Sequence, residues 1–285
     1  MSPVAPVRLI ATDLDGTLLL PDKTVSTATC AALRAAAAAG LTLVAATGRQ
    51  LRHLPVDLTE LGFHYAIGAN GGVCSDLGQD VVTFAEEIDP QHLRTLSDQL
   101  HAVVPEVRLA ASRDLGEYHL CEPGYRELIP TAEVLPPNWR TETAPLAEIL
   151  AEPTIKVTLR HPELSPADLL AAVLDCDLTG LSATISGAPF VEIGAARATK
   201  ATALARVCAH LGIPSDQVMA VGDSLNDVDM VTWAGHGFAM GNADPELRRV
   251  ANRFTTANTE DGFAMAVQNV LYEGGQPWNP LATRS

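Results

Sequence analysis

The stretch Val7-Arg8-Leu9-Ile10-Ala11-Thr12-Asp13-Leu14-Asp15-Gly16-Thr17-Leu18 sets the architecture: a short apolar run that ends in two aspartates one residue apart, then a glycine. The run Val7–Ala11 reads as a strand buried on both faces. Working outward, Ser26–Ala39 reads as an Ala-rich helix closed by Gly40. Leu41–Ala46 and His64–Gly68 read as the next two strands. Near the other end, Thr199–Leu211 reads as a helix, with Leu204, Cys208 and Leu211 on one face. Val218–Gly222 is another buried strand, and shorter ones are expected at Phe238–Met240 and Arg253–Thr256. Strands alternating with helices predict an α/β fold with a mainly parallel sheet covered on both faces.

Ligands of such sheets bind beyond the carboxyl ends of the strands. Those ends carry Asp13-Leu14-Asp15-Gly16-Thr17, Thr47-Gly48-Arg49, Asn70-Gly71-Gly72 and Asp223-Ser224-Leu225-Asn226-Asp227. Clustered carboxylates repel one another unless a cation or protons are present. A small set of hard oxygen donors suits Mg²⁺, which keeps several waters and takes a phosphate oxygen as partner. An EF-hand calcium loop fails on spacing, because Ala234 stands where the closing glutamate after Asp223 belongs. The chain has three lysines, Lys23, Lys156 and Lys200. Lys200 stands at the start of a helix, where free N–H groups already favour an anion.

The middle of the chain reads differently. Asp89-Pro90 and Ser165-Pro166 start amphipathic helices, and Ile155–Leu159 alternates like a half-buried strand. An inserted α+β domain is therefore expected at 85–188, with a discontinuous first domain at 1–84 and 189–285. Lys156 reads either as a solvated face or as a substrate contact. Arg113, His119 and Tyr125 are candidates for the underside of the insertion, and His53 and His236 read as surface or loop residues. Trp139 and Trp233 read as packing residues.

Composition narrows the function classes. The net charge is −15 across 285 residues, which leaves no basic face for nucleic acid or an anionic membrane. No uncharged apolar run reaches a bilayer span, and the N-terminus carries no signal-peptide pattern. Five cysteines, scattered and without Cys-x-x-Cys spacing, fit reduced thiols in the cytoplasm.

Asp13-Leu14-Asp15-Gly16-Thr17-Leu18 resembles motif one of the haloacid dehalogenase superfamily. Thr47 is similar to motif two, Lys200 to motif three, and Gly222-Asp223-Ser224-Leu225-Asn226-Asp227 to motif four, with the late Glu260-Asp261-Gly262-Phe263 also in place. The insertion resembles the α/β cap of the Cof-like, subclass IIB sugar phosphatases. The resemblance implies a doubly wound three-layer core and a Mg²⁺-dependent phosphatase of small phosphorylated metabolites, either sugar phosphates or phosphorylated cofactors. It implies that Asp13 is the nucleophile and Asp15 the general acid and base. Asp13, Asp223 and the Asp15 backbone carbonyl would hold the metal. Thr47, Gly48, Lys200 and Asn226 would hold the phosphoryl group, supported by Asp227, Arg49 and Asn70. Ala201 follows the lysine where the family often has glycine. A phosphomutase or phosphotransferase of the same superfamily, and a catalytically silent sugar-phosphate binding protein, are the alternatives. A phosphorylation-driven receiver lacks the large insertion. The oligomeric state is left open by the sequence.

Overall fold

The computed structural model describes residues 6–131, 140–186 and 188–273; Trp139 lies outside them. The N-terminal part contributes strands β1 (Leu9–Thr12), β2 (Thr42–Ala46), β3 (Tyr65–Gly68), β4 (Val73–Asp76) and β5 (Val81–Ala85). The middle contributes β6 (Arg108–Arg113), β7 (Tyr118–Cys121), β8 (Thr141–Thr143), β9 (Val157–Arg160), β10 (Leu181–Thr184) and β11 (Val191–Ala195). The C-terminal part contributes β12 (Val218–Gly222), β13 (His236–Ala239) and β14 (Arg253–Phe254).

The first sheet runs β14-β13-β12-β1-β2-β3-β4-β5. Its strands are parallel from β14 to β3, and β4 and β5 add an antiparallel edge. Chain order reverses at β1, with β2 on one side and β12 on the other. Right-handed crossovers therefore put the helices of the two runs on opposite faces. The packing agrees: Thr27–Ala38 contacts Gly262–Glu273, while Lys200–Leu211 contacts Val228–Trp233. Leu9, Ile10, Leu43, Val44 and Val221 at the centre are fully buried, as a sheet covered twice requires.

Local signals hold these helices. The Ser26 side chain accepts the Thr29 N–H, and Gly40 takes φ +76° just past the last turn. Thr199 and Thr202 cap Lys200–Leu211 reciprocally, which fixes where Lys200 begins.

The second sheet runs β10-β11-β9-β6-β7-β8, mostly antiparallel, against helices Pro90–Val103 and Pro166–Leu174. One boundary differs from the expectation. Residues 189–198 were expected in the first domain, but β11 pairs with β10 and β9, and Val191, Ile193 and Ala198 join the second core. The turn before β11 is a hairpin inside the insertion, not its exit. Among the described residues no helix is long and apolar enough to cross a membrane, and all five cysteines are free.

Candidate active site

The reversal at β1 brings three strand ends together, those of β1, β2 and β12. Asp13 follows β1 directly, its N–H donating to the Val221 carbonyl at 3.0 Å. Its side chain is buried, and one oxygen accepts from Lys200 Nζ at 2.6 Å. The same ammonium donates to Asp227 Oδ1 at 2.6 Å. The other Asp227 oxygen accepts the N–H groups of Asp223 and Ser224, both at 3.0 Å. Asp227 thus orients the lysine and the β12 loop. Asp223 accepts from Thr17 Oγ1 at 3.0 Å. Gly16, at φ +78°, is required here, because a Cβ would lie 2.2 Å from Asp223 Oδ2.

Electrostatics follow from this crowding. Burial pushes the Asp13 carboxyl well above the usual range; Lys200 opposes it, and Asp227 and Asp223 reinforce it. Burial and Asp227 push Asp223 up to about 7, against the Thr17 hydrogen bond and Lys200. Lys200 is held charged: burial disfavours its ammonium, but Asp13 and Asp227 outweigh that. Carboxylate oxygens of Asp13, Asp223 and Asp227 lie within 4.8 Å of one another. Crowded anions with oxygen-only donors fit a hard divalent cation, which relieves the repulsion. Asp227 is fully buried and away from the cavity, whereas Asp13 and Asp223 border it, so these two side chains are the ones an ion in the cavity could reach.

Asp15 turns the other way. Its carboxylate accepts from Arg49 Nε at 2.5 Å, Arg49 Nη2 at 2.8 Å and Lys23 Nζ at 2.7 Å. Burial alone would raise its pKa, but Arg49 and then Lys23 outweigh burial and hold it below the usual range. Thr47 is buried at the end of β2, with its hydroxyl accepting the Arg49 N–H at 3.1 Å. A Cβ on Gly48 would stand 2.9 Å from Asn70 Oδ1, so glycine lets the neighbouring loop close on this turn. Asn70 accepts from Asn226 Nδ2 at 2.9 Å and donates to Glu192 at 2.9 Å.

A cavity of ≈ 550 Å³ opens between the two sheets, bordered by Asp13, Asp15, Thr47, Asp223 and Asn226 below and by residues of the insertion above. Lys200 sits behind Asp13 and borders a smaller cavity of ≈ 320 Å³ beside Asn70 and Asn226.

Several insertion residues depart from the sequence reading. Lys156 is buried, not solvated: it crosses to the Gly48 carbonyl at 2.8 Å and pairs with Glu192. Arg113 does not border the cavity; it donates to the Ile149 and Ser112 carbonyls within the insertion. His119 and Tyr125 do border it, and so does His53, which is buried. His236 is buried within β13. Gln50 and Glu192 were not anticipated. Gln50 bonds Ser112 across the junction, and Glu192 ties Lys156 to Asn70. An acid between Val191 and Ile193 is the one signal that marked Glu192.

His119 yields a testable acid sensitivity. Its Nε2 accepts from Gln50 Nε2 at 2.9 Å, and its ring stacks on His53 with centroids 6.1 Å apart. Burial first, then His53 and Lys156, lower its pKa from 6.5 to about 4. Above about 6.5 the ring is neutral folded or unfolded, and nothing is lost. Below that the unfolded chain takes the proton first, so stability falls with pH until the folded ring also titrates near 4. The loss attributable to this ring is about 3 kcal/mol by about pH 4. Denaturant unfolding of wild type and His119→Asn at about pH 7.5 and about pH 4.5 reads it; equal acid losses in the two proteins would contradict it.

The comparisons agree with this geometry. The pyridoxal phosphate phosphatase YbhA of Escherichia coli is 31% identical, with 93% of this chain and 98% of that protein aligned. The 5-amino-6-(5-phospho-D-ribitylamino)uracil phosphatase YcsE of Bacillus subtilis is 30% identical, over 92% and 95%. The solved subclass IIB sugar phosphatase BT4131 shares the fold at TM-score 0.77 and 23% identity, covering 92% of this chain and 98% of that one. Residues 10–267 match the haloacid dehalogenase-like hydrolase family. With the family's fold around a buried Asp13–Lys200 pair at the switch point, the chain belongs to the haloacid dehalogenase-like hydrolases, as one of their phosphoric monoester hydrolases.

Proposed function

We propose that the protein is a cytoplasmic, Mg²⁺-dependent phosphatase of small phosphorylated metabolites that works through a phospho-aspartyl intermediate on Asp13. The observation that carries this reading is the Asp13 carboxylate on the cavity floor, one oxygen held by Lys200 and the side chain bordering the open space. Its relatives named above act on phosphate esters of similar size, pyridoxal phosphate among them.

Asp13 and Asp223, with the backbone carbonyl of Asp15, would hold the ion. Its charge lets an anionic nucleophile meet an anionic ester. The Asp13 oxygen attacks phosphorus while the ester P–O bond breaks, and Asp15 gives the leaving oxygen its proton. Water then attacks the phospho-aspartate, giving its proton to Asp15 and releasing inorganic phosphate. Arg49 and Lys23 keep Asp15 ionised in the free site. An arriving phosphate competes for these two cations, which frees Asp15 to take up the proton that the first step needs. Thr47, the Gly48 N–H and Asn226 are donors for the phosphoryl oxygens, where charge develops, and Lys200 holds Asp13 from behind. The insertion covers the cavity, excludes water and meets the leaving group.

Phosphate release from a panel of monoesters tests this. Turnover should fall at least about a hundredfold in chelator and return with excess Mg²⁺. Turnover indifferent to chelator would overturn the metal assignment, and a panel with no turnover would overturn the function.

A further inference from the structure

We infer that Lys156, which the insertion delivers to the core, is a positioning residue for the phosphoryl site: it holds the Gly48 carbonyl so that the Thr47 hydroxyl is aimed at the transferring group. This rests on the phosphatase reading and deepens it.

Lys156 stands just before β9 and is 6% exposed, yet its ammonium is not spent within the insertion alone. It donates to the Gly48 carbonyl of the core at 2.8 Å and pairs with Glu192 of β11, itself 3% exposed. A buried ammonium needs a counter-charge, and Glu192 supplies it. The bond to Gly48 adds nothing to that charge balance. Its consequence lies in the turn it fixes.

A trans peptide unit is planar, with its C=O and N–H pointing opposite ways. The unit that carries the Gly48 carbonyl also carries the Arg49 N–H. Held by Lys156 at one end, it aims that N–H at Thr47 Oγ1, 3.1 Å away. The hydroxyl accepts this hydrogen bond and keeps its own proton to donate. Thr47 borders the cavity beside Asp13, so a phosphoryl oxygen can receive that donation. Were the unit to turn over, the hydroxyl would lose the hydrogen bond that directs its proton. Glycine restrains its backbone least, and a side chain at 48 does not fit: a Cβ there would stand 2.9 Å from Asn70 Oδ1 and 3.4 Å from Glu192 Oε1. The restraint comes instead from across the junction. Glu192 extends it, accepting from Asn70 Nδ2 at 2.9 Å, and Asn70 accepts from Asn226 Nδ2 at 2.9 Å. One ion pair of the insertion thus reaches the loops that follow β2, β3 and β12.

A double-mutant cycle on phosphate release tests this. Lys156→Met alone would strand the Glu192 carboxylate, so the pair is removed together as Lys156→Met/Glu192→Gln, in which the amide still offers Asn70 an oxygen. In this variant kcat and kcat/KM should both fall at least about tenfold, by the same factor for acetyl phosphate and 4-nitrophenyl phosphate, because no leaving group is being read. Thr47→Val should fall at least as far. With all three substitutions, kcat should stay within about threefold of Thr47→Val, because the lysine acts through a hydroxyl that is already gone. A lysine that touches the substrate itself, or that serves only the fold, would lower kcat by the same factor with and without the hydroxyl, and that result overturns the inference. So does a paired variant with wild-type kcat, or one that thermal unfolding shows to have lost its fold. In each of those cases turnover by wild type leaves the phosphatase reading standing. No phosphate released by wild type from either compound overturns both.

Discussion

Asp13→Asn should lower kcat by at least about a thousandfold and leave the fold as stable as wild type or more so. The amide keeps the shape of the carboxylate but is a far poorer nucleophile, so the proposed phospho-aspartyl step would be lost. Stability should not follow activity, for a specific reason. Burial and the neighbouring Asp227 and Asp223 already push the Asp13 carboxyl well above its usual range, despite Lys200. The folded chain therefore resists holding Asp13 ionised, and a neutral amide removes that cost. Lys200 remains paired with Asp227 at 2.6 Å, so no buried cation is stranded. Phosphate release and thermal unfolding measured on the same preparation check both halves. Retained turnover would remove Asp13 from the nucleophile's place. A Tm lowered by many degrees would mean that the Asp13–Lys200 contact is a structural requirement rather than a poised one.

How far the sequence discloses such a site depends on where its residues stand. Asp13, Thr47 and Asp223 are polar groups ending apolar runs, and a polar residue at the carboxyl end of a buried strand has no core to join. That made the parallel core and its edge legible. The insertion was less so. In Ile155-Lys156-Val157-Thr158-Leu159 the alternation correctly separates two faces, but it does not say which face meets water. Val157 and Leu159 enter the second core, while Lys156 turns to the other domain and is buried there. The exit from the insertion was misplaced because a hairpin turn and a domain crossing share the same small residues. Gln50 gives no periodic signal at all. Its burial comes from Ser112 and His119, 62 and 69 residues away in sequence, and no local pattern encodes such a meeting.

Lys200→Met should be the more damaging substitution to the fold. Methionine fills much of the volume, so the loss is chiefly electrostatic. The lysine is buried, and its ammonium is the cation shared by Asp13 and Asp227, both at 2.6 Å. Removing one partner of a buried ion pair strands the other charge, at about 3–5 kcal/mol, and here two carboxylates lose their partner at once. Activity should fall with it, because Lys200 also holds the Asp13 side chain proposed as the nucleophile. The sign of the pH response separates this account from simple mispacking. Without Lys200 the upward push of burial on Asp13 is opposed by less, so the folded variant binds its proton more readily than the unfolded chain. Protons bound preferentially by the folded state stabilise it as pH falls. The stability gap between wild type and Lys200→Met, measured by urea unfolding in chelator, should therefore narrow from about pH 8 to about pH 5.5. Lys200→Met/Asp13→Asn should recover part of the loss at the higher pH, where the stranded charge is greatest. A gap that is constant with pH, and unchanged by the second substitution, would assign the damage to packing and leave the ammonium without its structural role.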